Sequence, residues 1–511
     1  MNPKTVIKAT LSLAMALSGV GASAQLEVDY RASLTVNGGN GDFAPYYIAS
    51  NRHGVLSQAY DGLFQLGFWK PLKTDRRFNY GFGVDLWSGA SSSVDYKRFD
   101  GPSEKWVTNS QHPAYMWVQQ LYGEVKYRGV FLTVGIKEHQ SALLNNTLTS
   151  GDLIESGNAR PIPEVRTGFV DFQDIPFTNG WVQIQGEISY GKFSDNNWLK
   201  HHYNYYNGHL ALGGLYTYKR AYFRTKPTER FSVTIGAQAA GLFGGETTYY
   251  YNGKATLTQK HPHDVSDYFE MFIPKLSSEE GFVMGNHLGS WDFMATYRLK
   301  NDSELKAYFQ WPWEDGSGIG KLNGFDGLWG IEYKASERSV VSGAVIEYLD
   351  FTNQSGPIHW EPGDSPGTTI TANATGGDEY YNNGFYKSYA NYGMSIGTPF
   401  LRSPIYNIDG YYGFIDNRVR GFHVGVLGAV SKSVDYRVMF SYRKGWGSGR
   451  IPRSKPVTDT SMMVEANWAV PRVKGLGVKG QLAFDAGSMY GDLFGACVTV
   501  SYDGLFKFNK R

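Results

Sequence analysis

The segment Trp181–Phe193, WVQIQGEISYGKF, alternates without exception over nine positions. Val182, Ile184, Gly186, Ile188 and Tyr190 are apolar or small, while Gln183, Gln185, Glu187 and Ser189 are polar. Side chains of a β-strand point to opposite faces in turn, so this period of two predicts a strand with one oily and one wet face. The pattern recurs. Val130, Leu132, Val134 and Ile136 alternate with Phe131, Thr133, Gly135 and Lys137. Val438, Phe440 and Tyr442 alternate with Arg437, Ser441 and Arg443, and Phe494, Ala496, Val498, Val500 and Tyr502 with Leu493, Gly495, Cys497, Thr499 and Ser501. In Ala114–Tyr127 the period groups Trp117, Leu121, Val125 and Tyr127 on the oily face, with Gln119 the one polar intruder, against Gln120, Glu124 and Lys126. Leu210–Arg224 fits less well: either register places Lys219 or Arg220 on the oily side, which calls for a bulge or a position near a membrane interface.

The connections carry a second signal. Tight ones at 71–77, 128–129, 175–179, 225–230, 300–303, 335–339, 431–435 and 471–475 alternate with longer ones. The longer ones fall near 38–60, 89–113, 139–165, 194–209, 244–285, 314–325, 353–419, 446–461 and, briefly, 488–491. Outer-membrane barrels alternate short periplasmic turns with long extracellular loops in this way. The fold expected is therefore all-β: a single transmembrane antiparallel β-barrel of about 18 strands, the first near 26–37 and the last near 491–503. An open sheet edge in lipid leaves backbone groups unpaired at several kcal/mol each, which favours closure. A Lys or Arg on the lipid face costs about 2–4 kcal/mol at mid-depth, so Lys137, Arg437 and Arg443 are expected to point inward. Within 353–419 a further strand-like piece, Tyr392–Thr398, belongs to an excursion rather than to the wall.

Composition agrees. Gly 62, Tyr 36, Phe 30 and Trp 13 make a glycine- and aromatic-rich chain of strands and turns. A mean hydropathy of −0.37 is what a barrel shows when only half of each strand is oily. Residues 1–24 read as a secretory signal peptide: Lys4 and Lys8, an apolar run, then Ala22-Ser23-Ala24 before Gln25. Residues 25–511 are then the barrel, placed in the cell outer membrane. One cysteine, Cys497, excludes an intrachain disulfide framework, and a net charge of +2 does not speak for a nucleic-acid partner.

Three stretches resemble the Wzi family of capsule-assembly outer-membrane proteins: Ser156–His202, Trp313–Tyr333 (WEDGSGIGKLNGFDGLWGIEY) and Asn286–Phe293 (NHLGSWDF). The resemblance implies an eighteen-stranded outer-membrane barrel that holds capsular polysaccharide at the cell surface and behaves like a lectin. It also implies a periplasmic helical bundle, of which this sequence carries no pattern. The best helical stretch, 141–158, falls in a loop expected to be extracellular or lumenal.

Aromatic side chains on long loops suit a saccharide, because a flat ring stacks on the C–H face of a pyranose while neighbouring Asn, Asp and Arg bond its hydroxyls. The residues in that position are Trp106, Trp198, Tyr203, Tyr205, Tyr206, Tyr380 and Tyr381, with Tyr249, Tyr250, Tyr251 and Trp360 behind them. An aromatic girdle or simple loop packing is the competing role for each. In RPIPEVR, Arg160 and Arg166 could clamp an acidic sugar's carboxylate, or brace a loop inside the lumen; the two prolines place this segment in a turn or an inward plug.

No catalytic signature is present. GLGVKG (475–480) lacks the helix a dinucleotide site needs, WEDGSGIG lacks the spaced acids of a calcium loop, and HPHD (261–264) lacks further ligands. No enzyme, cofactor or metal is expected. The expected function is polysaccharide attachment or assembly at the cell surface, with a porin or glycan transport channel as the alternative. The expected partners are capsular or exopolysaccharide, outer-membrane lipid and, through the C-terminal aromatics Phe506 and Phe508, the barrel assembly machinery.

Overall fold

The computed structural model describes residues 26–225, 230–273, 284–314, 316–356 and 377–508; the signal segment and Trp360 lie outside them. Eighteen strands form one closed antiparallel barrel. They are β1 (Leu26–Gly39), β2 (Asp61–Lys70), β3 (Phe78–Ser91), β4 (Met116–Tyr127), β5 (Val130–Ile136) and β6 (Pro163–Phe169). Then come β7 (Val182–Lys192), β8 (Leu215–Thr225), β9 (Phe231–Phe243), β10 (Asn286–Arg298), β11 (Glu304–Trp313) and β12 (Gly327–Lys334). The last are β13 (Gly343–Asp350), β14 (Val419–Ser431), β15 (Val434–Gly447), β16 (Pro452–Ala469), β17 (Leu476–Gly487) and β18 (Leu493–Phe508). Gln173–Asp174 extends the pairing of β6 along β7. Closure is made by β1 against β18, in register from Leu26 opposite Phe508 to Gly39 opposite Gly495. The long connections leave one end of the barrel, together with the short turns 448–451 and 488–492; the other end carries short connections and both termini of the barrel.

The period of two is obeyed on both faces. Val130, Leu132, Val134, Phe223, Ile235, Ile331, Ile346, Leu482 and Phe484 stand exposed on the outer wall, an apolar belt of the kind lipid solvates. Among the described residues no helix is long and apolar enough to cross a membrane. The inner face is polar and paired. Arg443 meets Asp459 at 2.8 Å, Arg437 meets Glu465 at 2.8 Å, and Lys137 meets Glu124 at 2.6 Å, as expected of cations that must avoid lipid.

The lumen is filled. Segment 40–60, with the short helix α1 (Tyr46–Ala49), segment 137–162 and segment 377–418 pack inside the wall. Leu148, Leu153, Ile154, Leu401 and Phe414 are fully buried among wall side chains. Their backbone groups are satisfied by the wall and by one another. Thr149 Oγ1 and the Ser150 N–H donate to Glu347 at 2.6 Å each, the Leu153 N–H to Gln310 at 3.1 Å, and the Tyr46 N–H to Asp485 at 2.7 Å. Asp152 accepts from Ser141, Gln238 and Gln310 at 2.6, 2.9 and 2.9 Å. Tyr381 and Tyr389 donate to the carbonyls of Leu153 and Ile154 at 2.5 and 2.8 Å, which ties the second plug segment to the third.

Several expectations change. Residues 141–158 form turns with no helix, because their hydrogen bonds go to the barrel wall instead. The register of β3 against β4 shifts between Asp85 and Leu86, leaving Gln119 as a bulge residue. The shift turns Trp117 inward, where it stacks on Trp87 at 6.1 Å, away from the face of Leu121 and Val125. Gln119 is then no intruder on an oily face: it is buried and donates to the carbonyl of His53 and to Glu138 at 3.0 and 2.9 Å. The region 446–461 is no long loop, since β16 begins at Pro452. Tyr392–Thr398 contributes only to a two-residue ladder, Ala390–Asn391 with Met394–Ser395, outside the barrel sheet.

Candidate functional site

At the long-loop end four segments meet. Val94–Asp100 and Lys105–Gln111 form a hairpin in which Phe99 lies opposite Trp106. A second segment begins with the helix α2 (Trp198–His202) and ends in Gly208–Leu212, which pairs with the hairpin of Glu246–Tyr251 and Lys254–Lys260. Residues 405–413 complete the group.

The segments are joined by backbone hydrogen bonds. The Phe99 N–H donates to Asn204 at 2.8 Å, Lys97 to Ile408 at 2.8 Å, Gly253 to Tyr206 at 2.9 Å and Asn204 to Gly410 at 3.0 Å. The amides of Asn109 and Gln111 both donate to the carbonyl of His201 at 2.6 Å. Loops held this way need little further ordering when something binds.

The surface they present is aromatic. Trp106, which is 49 % exposed, lies edge-on to Phe99 at 5.6 Å and 5.1 Å from Tyr206; Phe99 and Tyr206 are 5.0 Å apart. Gly253 passes directly behind Phe99: its φ is +77° and a Cβ would come 2.0 Å from the ring. Arg98 precedes Phe99 on the same strand and so turns to the other face of the hairpin, the side of the buried Val94 and Tyr96, where its guanidinium lies 4.8 Å from the Tyr205 ring as a cation–π pair. Tyr205 itself adopts φ +61°, a costly conformation for a bulky residue, and its hydroxyl donates to Lys200 at 2.8 Å. Lys97, Lys105, Lys200 and His201 are exposed around it, with Asp95 and Glu104.

Below the surface lies the support. Tyr203 is fully buried against Tyr205, Tyr250 and Tyr412 at 5.1, 5.6 and 5.7 Å. Trp198 stacks on His202 at 4.4 Å, and a Cβ on Gly393 would come 2.4 Å from its ring. His202 donates through Nε2 to the Tyr411 carbonyl at 3.1 Å, and burial pushes its pKa down to about 4.

Of the residues singled out from sequence, Trp106, Tyr205 and Tyr206 are brought together at the surface, with Tyr203 and Trp198 beneath them. Tyr250 packs against Tyr203 and Tyr205, and Tyr251 stands exposed on the neighbouring hairpin, whereas Tyr380, Tyr381, Arg160 and Arg166 are enclosed elsewhere. Tyr380 and Tyr381 are buried in the lumen; the Tyr380 hydroxyl donates to Asp326 at 3.1 Å, whose pKa burial raises to about 6. Arg166 is 2 % exposed and its guanidinium meets Glu155, Glu164 and Glu187 at 2.5, 2.7 and 2.7 Å. Arg160 lies between the rings of Trp117 and Tyr392 at 4.4 and 4.7 Å. Arg98 and Phe99 escaped the sequence reading. Their signal is the turn Asp100-Gly101-Pro102-Ser103 between two strand-like runs.

No family model matches the chain, and no curated protein matches it. Among solved structures, Wzi of Escherichia coli, described as an outer membrane protein involved in group 1 capsule assembly and a carbohydrate-binding β-barrel, superposes over 99 % of this chain and 88 % of its own. The TM-score is 0.55 at 12 % sequence identity. The chain has the Wzi fold. OccAB2 of Acinetobacter baumannii (TM-score 0.48, 8 % identity, 94 % and 98 % coverage) and OprD of Pseudomonas aeruginosa (0.44, 8 %, 95 % and 97 %) also match. In this chain the exposed ring of that loop cluster is Trp106, backed by Phe99 and Tyr206.

Proposed function

We propose that this protein sits in the outer membrane with its long loops outside the cell, and there attaches or assembles capsular or exopolysaccharide as a lectin-like barrel. The observation that supports the reading is the cluster of Phe99, Tyr206 and the exposed Trp106, held on a hairpin whose other face carries the Arg98–Tyr205 pair. Sugar rings stack on Trp106 and Tyr206, and the surrounding cations and amides bond hydroxyl or carboxylate groups. The polymer repeats, so many weak contacts sum to firm retention. The protein acts by binding rather than by turnover.

Deleting the gene and staining polysaccharide on cells and in the medium tests the reading. Polymer shed into the medium is the expected result. Unchanged surface polymer overturns it.

A further inference from the structure

A helix lies on the outside of the barrel. α3 (Val265–Phe272) follows the hairpin of Glu246–Lys260 and packs against the outer faces of β7, β8, β9 and β10. Tyr190, Thr217, Gly241 and His287 are register partners across these strands, so they share the outer face. All lie near the long-loop end. Met271 is fully buried in the hollow left by Gly241, where a Cβ would come 2.4 Å from its terminal methyl. Tyr268 packs edge-on to the buried outer residue Phe243 at 5.1 Å, and its carbonyl accepts from the Tyr190 hydroxyl at 2.7 Å. At its start Asp264 and Asp267 form a reciprocal cap.

This helix resolves the awkward register of β8. Arg220 points inward to Glu187 at 3.1 Å, which leaves Lys219 on the outer wall. There its ammonium donates to the carbonyls of Met271 and Phe272 at 2.8 and 2.6 Å. These are carbonyls a helix leaves unpaired at its C-terminus, the negative end of its dipole.

The rest of the helix surface is unusual for one facing water. By helical periodicity Val265, Phe269 and Phe272 share a face, Asp267, Tyr268 and Met271 the adjacent one, and Ser266 and Glu270 the third. The middle group meets the barrel. The first stands bare, with Val265 76 %, Phe269 71 % and Phe272 44 % exposed, followed by Ile273 at 60 %. That bare face continues the apolar belt of the wall.

We propose that α3 is immersed in the hydrocarbon of the outer leaflet, with Phe269 and Phe272 among the acyl chains and the Lys219 ammonium covered beneath it by the carbonyls of the helix end. The occupant of the bare face is lipid, because the face is continuous with a wall that lipid already solvates. The proposal rests on the membrane placement of the preceding section.

Spin labels test it. In a Cys497→Ser background, labels at Phe269→Cys, at Ile346→Cys on the bare wall and at Leu257→Cys in the outer hairpin are compared in phosphatidylcholine vesicles. Oxygen reports hydrocarbon and a water-soluble nickel chelate reports water. Expected at position 269 is high oxygen access with nickel access several-fold below that at 257. A 269 label that behaves like 257 overturns the proposal while 346 still reports lipid. A label shielded from both reagents overturns it in favour of a second copy or another protein. If 346 is itself open to nickel, the membrane placement has failed instead. Gly241→Leu fills the seat of Met271 and is expected to raise label mobility at 269 with the barrel still folded; unchanged mobility counts against the docking.

Discussion

The guanidinium carbon of Arg443 stands 3.7 Å from the centroid of the Tyr46 ring, so a charge on β15 holds the first plug segment by its aromatic face. The same group pairs with Asp459 at 2.8 Å and lies 4.8 Å from the ring of Tyr490. Both members of the ion pair are fully buried. Arg443→Ala therefore leaves Asp459 uncompensated, and a loss of about 3–5 kcal/mol is expected in urea unfolding in detergent. The double variant Arg443→Met with Asp459→Leu is expected to recover much of that loss. A single variant within 1 kcal/mol of the parent, near the value of an exposed pair, would show the pair to be hydrated.

The surface platform makes its own forecast. Trp106→Ala removes an exposed ring and is expected to weaken polysaccharide binding by about 1–3 kcal/mol, roughly five- to 150-fold, with barrel assembly unchanged. Gly253→Val drives a side chain into the Phe99 ring and is expected to lower affinity without touching the ligand. Binding measured by quenching of intrinsic fluorescence, with heat-modified gel mobility as the folding control, checks both. Equal binding by both variants moves the site elsewhere.

A filled lumen predicts electrical silence. In planar bilayers the intact protein is expected to show no steady open channel. Deleting 141–158 removes the segment hydrogen-bonded to Glu347 and Gln310 and is expected to raise conductance. A stable conductance from the intact protein would favour transport.

Acid is expected to loosen the loops. His202 is buried and neutral, with its pKa lowered to about 4, against about 6.5 for an unfolded histidine. Its protonation opposes the folded arrangement. The penalty starts as pH falls below about 6.5, grows towards about 3 kcal/mol, and is complete below about 4. Limited proteolysis of the loops at pH 7 and pH 4.5 measures it, and His202→Asn is expected to flatten the difference.

The strands were legible where a single face rule held. In Val182–Ile188 one side forms the apolar outer wall and the other a polar lumen, so the pattern is clean. The rule fails where a local partner overrides it. Trp117 is turned inward by a bulge that only its pairing with β3 reveals, and Lys219 is tolerated outside because a distant helix caps it. Of the platform, the rings were visible as loop aromatics, but not which ones converge. Trp106 and Tyr206 meet through hydrogen bonds among segments far apart in sequence, whereas Tyr380 and Tyr381 look the same on paper and are lumen packing.

The seam of β1 with β18 has a consequence for biogenesis. Its fourteen aligned pairs, from Leu26 with Phe508 to Gly39 with Gly495, join the two ends of the barrel sequence. Without the last strand both β1 and β17 lose their pairing partner, so the register seen here closes only when the final sixteen residues of the wall are in place.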